Sequence, residues 1–351
     1  MDAKITKTRL SRMLSYDWLK ILFSAAALIV VWVLIFTMTA TPITPSQKFT
    51  VMNYVGNTAF DDDFFEHYKK ALSNGVFSYE VIEGNSEDLT GDESMVGSLL
   101  QARTAIEEGD VIFVANQADH RSLEVQETVD ETTGEVVENY VYTYTYLQAF
   151  VSGWYYKIYD VKKYLEEMDA FLAQYYEGGD WKTPAALNEE KVKEDFNART
   201  KKDKRFKKSA ARRQGEKDEV ERIKKYRDAL VKFHWYLQEG VVALEETTIE
   251  NFFGEGEDFT GTFSINLCPT EGMMVGDDFA MGELKNMVGC KPIVYEDGIP
   301  AYGDVTAENM NVCFFRFDGV ADSFEYESLL YTVNVIDSYS KHGCPEEVYV
   351  A

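Results

Sequence analysis

KFTVMNYV, Lys48 to Val55, carries the β-branched and aromatic residues of a strand in a nearly unbroken apolar run, the pattern of a strand buried on both faces of a parallel sheet. The residues after it fit such a sheet. Asn57 to Leu72 predicts a helix: Asn57 or Thr58 caps it, Asp61 to Asp63 sit at the positive end of its dipole, and Phe64, Phe65, Tyr68 and Leu72 make an apolar face. Asn74-Gly75 ends it. Val76 to Ile82, VFSYEVI, predicts a second strand, and Ser94 to Glu108 a second helix facing inward through Met95, Leu99, Ala102 and Ile106. Gly109-Asp110 then launches a third strand, VIFVA, Val111 to Ala115. Strand, helix, strand, helix, strand with short turns predicts a right-handed parallel unit.

Upstream, Thr41 to Gln47, TPITPSQ, reads as an extended spacer. Before it, Ile21 to Ala40, ILFSAAALIVVWVLIFTMTA, is 20 residues without a charge, enough at about 1.5 Å per residue to cross a hydrocarbon layer of about 30 Å. Lys4, Lys7, Arg9, Arg12 and Lys20 precede it against only Asp2 and Asp17, which predicts a cytoplasmic N-terminus. A secretory leader would have a shorter apolar core and a small-x-small cleavage site, and Met38 and Thr37 stand two places before Ala40 and Thr39. The expectation is a single-pass plasma-membrane protein with residues 1–20 inside, 21–40 spanning, 41–47 as linker and the rest extracytoplasmic.

Downstream, residues 121–146 alternate with period 2 around Thr133-Gly134, a β-hairpin with one solvated face. Residues 147–258 read as a helical second lobe: Ile158, Val161, Leu165, Met168 and Leu172 recur at helical spacing, and Gly178-Gly179 breaks the run before Pro184 starts another. In residues 259–351, FTGTFSINLC (259–268) and VCFFRF (312–317) predict strands, Lys291 to Tyr295 a weaker one, and Ser323 to Ser340 a closing helix facing inward through Phe324, Ser328, Tyr331, Val335 and Ser338.

The net charge of −25 argues against nucleic-acid binding. Charge is also segregated. Residues 191–232 hold 17 Lys and Arg against 8 Asp and Glu. This arm predicts a helical hairpin with a basic tip at Lys201 to Arg213, either a solvated loop or a contact for anionic headgroups or acidic envelope polymer. Cys268, Cys290, Cys313 and Cys344 are either buried thiols or, in an exterior location, disulfides in one of three pairings.

The succession KFTVMNYV, helix, FSYEVIEG, helix, LLQARTAIEEGDVIFVAN resembles the first lobe of bacterial extracellular solute-binding proteins that feed ABC importers, over residues 48–116. In that family a helix ending in Gly-Asp leads into the lobe's third strand, as Glu107 to Ile112 does here. The resemblance implies an α/β, two-lobed periplasmic-binding-like fold with a parallel sheet in the first lobe (48–120), an ABC permease as partner and binding without catalysis. A lipid-anchoring cysteine after the apolar run is missing, the first being Cys268.

His67, His120, His234 and His342 are scattered, and no H-E-x-x-H, G-x-S-x-G or P-loop motif occurs, so neither catalytic nor metal residues are assigned and no cofactor is implied. Asn85 to Glu93 gathers oxygen ligands around Gly91 but lacks EF-hand spacing and reads as a solvated loop before a calcium site. Ligands of open parallel sheets sit beyond the strands' carboxyl ends, which places Asn53, Asn57, Asn116, Gln117 and Asp119 in a candidate cleft. Trp154, Tyr155, Trp181 and Trp235 are candidates to stack on a sugar ring, or are core aromatics. Two functions remain: capture of a small polar ligand such as a saccharide, or an envelope scaffold that makes protein or polymer contacts on a fold without a ligand.

Overall fold

The computed structural model describes residues 7–39, 47–59, 64, 66, 69–72, 75–91, 93–129, 132–250, 258–270, 273, 281–296, 298–316 and 326–350. Contacts divide the chain into two units, residues 1–42 and 43–351. The first contains α1, Lys7–Thr39, whose stretch Trp18–Ile35 is long and apolar enough to cross a membrane and is exposed throughout.

In the second unit, β1 (Lys48–Asn53) lies between β3 (Glu83–Asp88) and β4 (Val111–Ala115), both parallel to it. A short β2 (Asn57–Ala59) pairs antiparallel with β9 (Val288–Cys290). Two hairpins stand outside the main sheet: β5 (Leu123–Val129) with β6 (Val136–Tyr142), and β10 (Ile293–Glu296) with β11 (Ile299–Tyr302). The main sheet continues with β12 (Met310–Phe314), β8 (Phe259–Asn266) and β7 (Ala243–Ile249), each antiparallel to the strand before it, in the order β3-β1-β4-β12-β8-β7. The C-terminal strands therefore complete the sheet that β1 begins. Residues 43–351 form one compact unit where the sequence predicts two lobes.

The longer helices among the described residues of this unit are α2 (Val96–Ala105), α3 (Tyr146–Trp154), α4 (Val161–Ala173), α5 (Glu189–Arg199), α6 (Ser209–Gln238) and α7 (Glu327–Tyr339). A Thr145–Gln148 capping box starts α3, and Asp160 caps α4. The expected stripe of α4, Val161, Leu165, Met168 and Leu172, is buried. Helices α5 and α6 form the predicted helical hairpin, closed by Phe196, Phe206 and the bare Gly215, where a Cβ would stand 2.5 Å from the Phe196 ring. At Gly56 (φ +85°) the Tyr146 ring lies against the backbone, 2.3 Å from where a Cβ would be, so no other residue fits there.

The basic arm is held to the sheet by buried ion pairs. Glu80, fully buried, receives Arg199 and Arg205, each at 3.1 Å. Glu219 accepts from Tyr79 Oη (2.7 Å), Arg199 (3.0 Å) and Arg222; Arg222 reaches Tyr226 Oη, and Tyr226 donates to Glu327 Oε1 at 2.9 Å. Glu327 Oε2 accepts the Ser78 N–H, which closes the circuit at the segment that leads into β3. Burial raises the Glu327 pKa, whereas at Glu219 burial is outweighed by Arg222 and Arg199 and the carboxyl stays below its ordinary range.

Several expectations are corrected. Asn57 does not cap a helix: residues 57–59 are β2, with helix at 64, 66 and 69–72, while Asp61 to Asp63, Phe65 and Tyr68 lie outside the described residues. VFSYEVI is not a strand. Phe77 packs on Phe49 and Tyr331, Tyr79 on Phe196 and Phe206, and Glu80 meets its arginines, while the polar EGNSED takes the half-buried edge beside β1 in place of a calcium or solvated loop. Helix α2 buries Val96, Leu100 and Thr104 and leaves the predicted face outside, a rotation of one residue. Ser338 of α7 is exposed, and Phe324 lies outside the described residues. Both faces of the β5–β6 hairpin are largely exposed. All four cysteines are free thiols; burial pushes Cys268 and Cys290 up to about 12 and Cys344 to about 11, and Cys313 is raised further, so they pack as neutral side chains.

Replacing Arg222 by Met leaves Glu219 short of a cation in the interior. Chemical denaturation of the full chain in detergent is expected to show a loss of about 3–5 kcal/mol, and a loss under about 1 kcal/mol would contradict the network's role. Asp110, whose carboxylate accepts the Thr50 N–H at 2.7 Å, is pushed up to about 7 by burial, against that hydrogen bond and with the help of Glu327. Below its ordinary value of 3.8 both states hold the proton. As pH rises toward 7 only the folded state keeps it, so this contribution to stability is lost with rising pH. Asp110→Asn is therefore expected to gain on the wild type between pH 4 and 7 in the same assay, and parallel curves would refute it.

Candidate functional site

The strand-end residues are used by the fold itself. Asn57 Nδ2 donates to Asn53 Oδ1 and to the Phe113 carbonyl, both at 2.9 Å, and Asn57 Oδ1 accepts the Ala115 N–H. Asn116 donates to Glu245 (3.0 Å) and Gln117 to the Glu308 carbonyl (3.1 Å). Asp119, fully buried, caps the turn at His120–Ser122 and holds Arg121 through both carboxylate oxygens. Each of these polar groups braces one strand or turn against the next.

The four aromatic candidates fall into two groups. Trp154 and Tyr155, both half-buried, belong to a cluster with Tyr156 and Phe259 at the end of α3. Trp181 and Trp235 line one cleft of about 490 Å³, together with Asp169, Lys182, Val231, His234, Gln238 and Val348. Helix α6 builds one wall with Val231, His234, Trp235 and Gln238 at i, i+3, i+4 and i+7, which places them on one face. Asp169 comes from α4. Gly178 and Gly179, both at positive φ, turn the chain back after α4 so that Trp181 and Lys182 form the opposite rim. The buried Arg227 holds that rim by donating to the carbonyls of Trp181 (3.3 Å) and Lys182 (2.5 Å).

Within the cleft the Trp181 and His234 rings stack at 6.2 Å with 25° between their planes, and Lys182 Nζ lies 5.7 Å from the Trp181 ring centre. Asp169 Oδ1 is enclosed and accepts no hydrogen bond. A buried carboxylate oxygen in that condition carries an unmet desolvation cost. Burial raises the Asp169 pKa, opposed by His234 and Lys182, while burial lowers that of His234, opposed by Asp169. The site presents a carboxyl oxygen without a donor, an imidazole that burial holds toward its neutral form, and two indoles. These groups suit a ligand with hydroxyl or ammonium donors and a flat apolar face. Asp169, His234 and Gln238 are additions to the predicted set. The adjacent pair His234-Trp235, between the buried Phe233 and Tyr236, was the available signal.

Among the described residues no group of three or more His, Cys, Asp and Glu side chains is arranged to hold a metal ion. No protein-family model, curated protein or solved structure matches this chain.

Because Asp169 is the group that lifts the His234 pKa, Asp169→Asn is expected to move the imidazole titration to lower pH. Ring-proton NMR of the full chain would show it, and an unmoved titration would place the two side chains out of electrostatic reach.

Proposed function

We propose that this chain is a membrane-tethered, extracytoplasmic binding protein that takes a small polar ligand with a flat apolar face, foremost a saccharide, into the cleft between α4 and α6 without altering it. The N-terminus lies in the cytoplasm and α1 spans the plasma membrane. The observation that carries the ligand reading is the enclosed, donorless Asp169 Oδ1 among Trp181, His234 and Trp235. A sugar stacked on an indole would offer its hydroxyl there. In this reading the ligand is captured on the single compact unit of residues 43–351, and the ABC permease implied by the resemblance to solute-binding proteins is a further step of the same proposal. The envelope-scaffold reading is favoured by one separate feature, the exposed β5–β6 hairpin.

The test is a thermal-shift screen of the full chain in detergent micelles against mono- and oligosaccharides. A ligand at a hundred times its Kd is expected to stabilise the fold by about 2.7 kcal/mol, and Trp235→Ala or Asp169→Asn to abolish the shift. If no saccharide raises the melting temperature, or if both variants respond like the wild type, the ligand reading fails.

A further inference from the structure

Strands β5 and β6 pair with each other in a two-stranded sheet, and every residue of β5 is exposed. Directly opposed residues share a face, so one side of the hairpin presents Val125 opposite Tyr140, Glu127 opposite Glu138, and Val129 opposite Val136. Val125, Val129 and Val136 are 54%, 63% and 61% exposed. Two features of this face are unfavourable in the isolated chain. A two-stranded hairpin in water is at best marginally stable without something on its apolar side, and like charges directly opposite destabilise a strand pair. Glu127 and Glu138 have no basic partner among the described residues. Between Leu123 and Tyr142 the sequence has six acidic residues and no Lys, Arg or His. At one end the face is already engaged, where Tyr295 Oη of the β10–β11 hairpin donates to the Tyr140 carbonyl at 3.0 Å and its ring meets Tyr142.

We propose that this face is a docking surface for a polypeptide partner that sets an arginine or lysine, flanked by aliphatic side chains, between Glu127 and Glu138. Such a partner covers the valines and replaces a carboxylate repulsion by charge-assisted hydrogen bonds. Arginine fits best, since its planar fork can serve two carboxylates at once. A second copy docking by the same face would bring two glutamate pairs together in a protein already at −25. An anionic bilayer would repel the six carboxylates.

The probe is a fluorescent peptide, acetyl-VRVRVRV-amide, titrated onto the full chain in detergent micelles and read by anisotropy, with acetyl-VEVEVEV-amide and acetyl-SRSRSRS-amide as controls. The arginine–valine peptide is expected to bind, the serine peptide of equal charge at least tenfold more weakly, and the glutamate peptide not at all. Glu127→Lys with Glu138→Lys is expected to weaken binding at least tenfold, and Val129→Ser with Val136→Ser, which leaves the charges in place, to weaken it as well. The proposal is overturned if the arginine–valine peptide does not bind, if the serine peptide binds as tightly, if the charge-reversed protein binds unchanged, or if cross-linking shows dimers through this face. The saccharide screen is read at a different site, so either result stands without the other.

Discussion

The pairing of Arg199, Arg205 and Arg222 with Glu80 and Glu219 is the constraint on which the body of this protein depends. A carboxylate with the burial of Glu80 is several kcal/mol out of place unless cations follow it inside. They arrive from α5 and from Arg205, more than a hundred residues along the chain. The pairing fixes where the helical hairpin sits. It also fixes the segment Ser78 to Glu80, which gives its backbone and side chains to Glu327 and the arginines. This accounts for the basic block in an otherwise acidic chain. Three of its arginines, Arg199, Arg205 and Arg222, are the counter-charge of buried glutamates, while Arg227 holds the Trp181 and Lys182 carbonyls and Arg212 donates to Asn197.

The second constraint is the mixed sheet. Because β12 runs antiparallel beside β4 and β8 beside β12, the last hundred residues close the sheet that the first strands open. The polar residues at the strand ends are then met from both sides: Asn116 by Glu245 of β7, Gln117 by the carbonyl of Glu308 just before β12. A doubly wound parallel sheet leaves a crevice at that position. Here antiparallel strands supply the partners that a ligand would otherwise have to supply.

What the sequence disclosed and what it hid have the same physical origin. Strands β1, β4, β8 and β12 are legible because central strands are apolar on both faces, and α4 because its stripe faces the core. The parallel core β3-β1-β4 was legible in type but not in register, since an edge strand needs little apolar surface and EGNSED has almost none. VFSYEVI misled because its alternation arises from rings and a carboxylate that pack from an irregular segment. The α2 face misled because both sides of that helix carry aliphatic residues, and periodicity alone cannot tell which one the sheet covers. Of the site, the two indoles were readable as residues that stack, but not their pairing, which depends on a glycine turn and on Arg227 buried 46 positions from the carbonyl it holds.

Among the described residues, the enclosed carboxyl oxygens fall into two kinds. Glu80 and Glu219 are met by guanidinium groups and Glu327 by a tyrosine and a backbone N–H, and in each case the partner belongs to the fold. Asp169 Oδ1 has no such partner although His234 and Lys182 stand near it, and among exposed acids the Glu127–Glu138 pair faces itself across an apolar surface. A fold that brings arginines across more than a hundred residues to one carboxylate does not lack means to neutralise another. Acids left unmatched beside indoles or exposed valines are therefore the positions where a molecule from outside gains most by binding, a donor-rich ring in the first case and a basic side chain in the second.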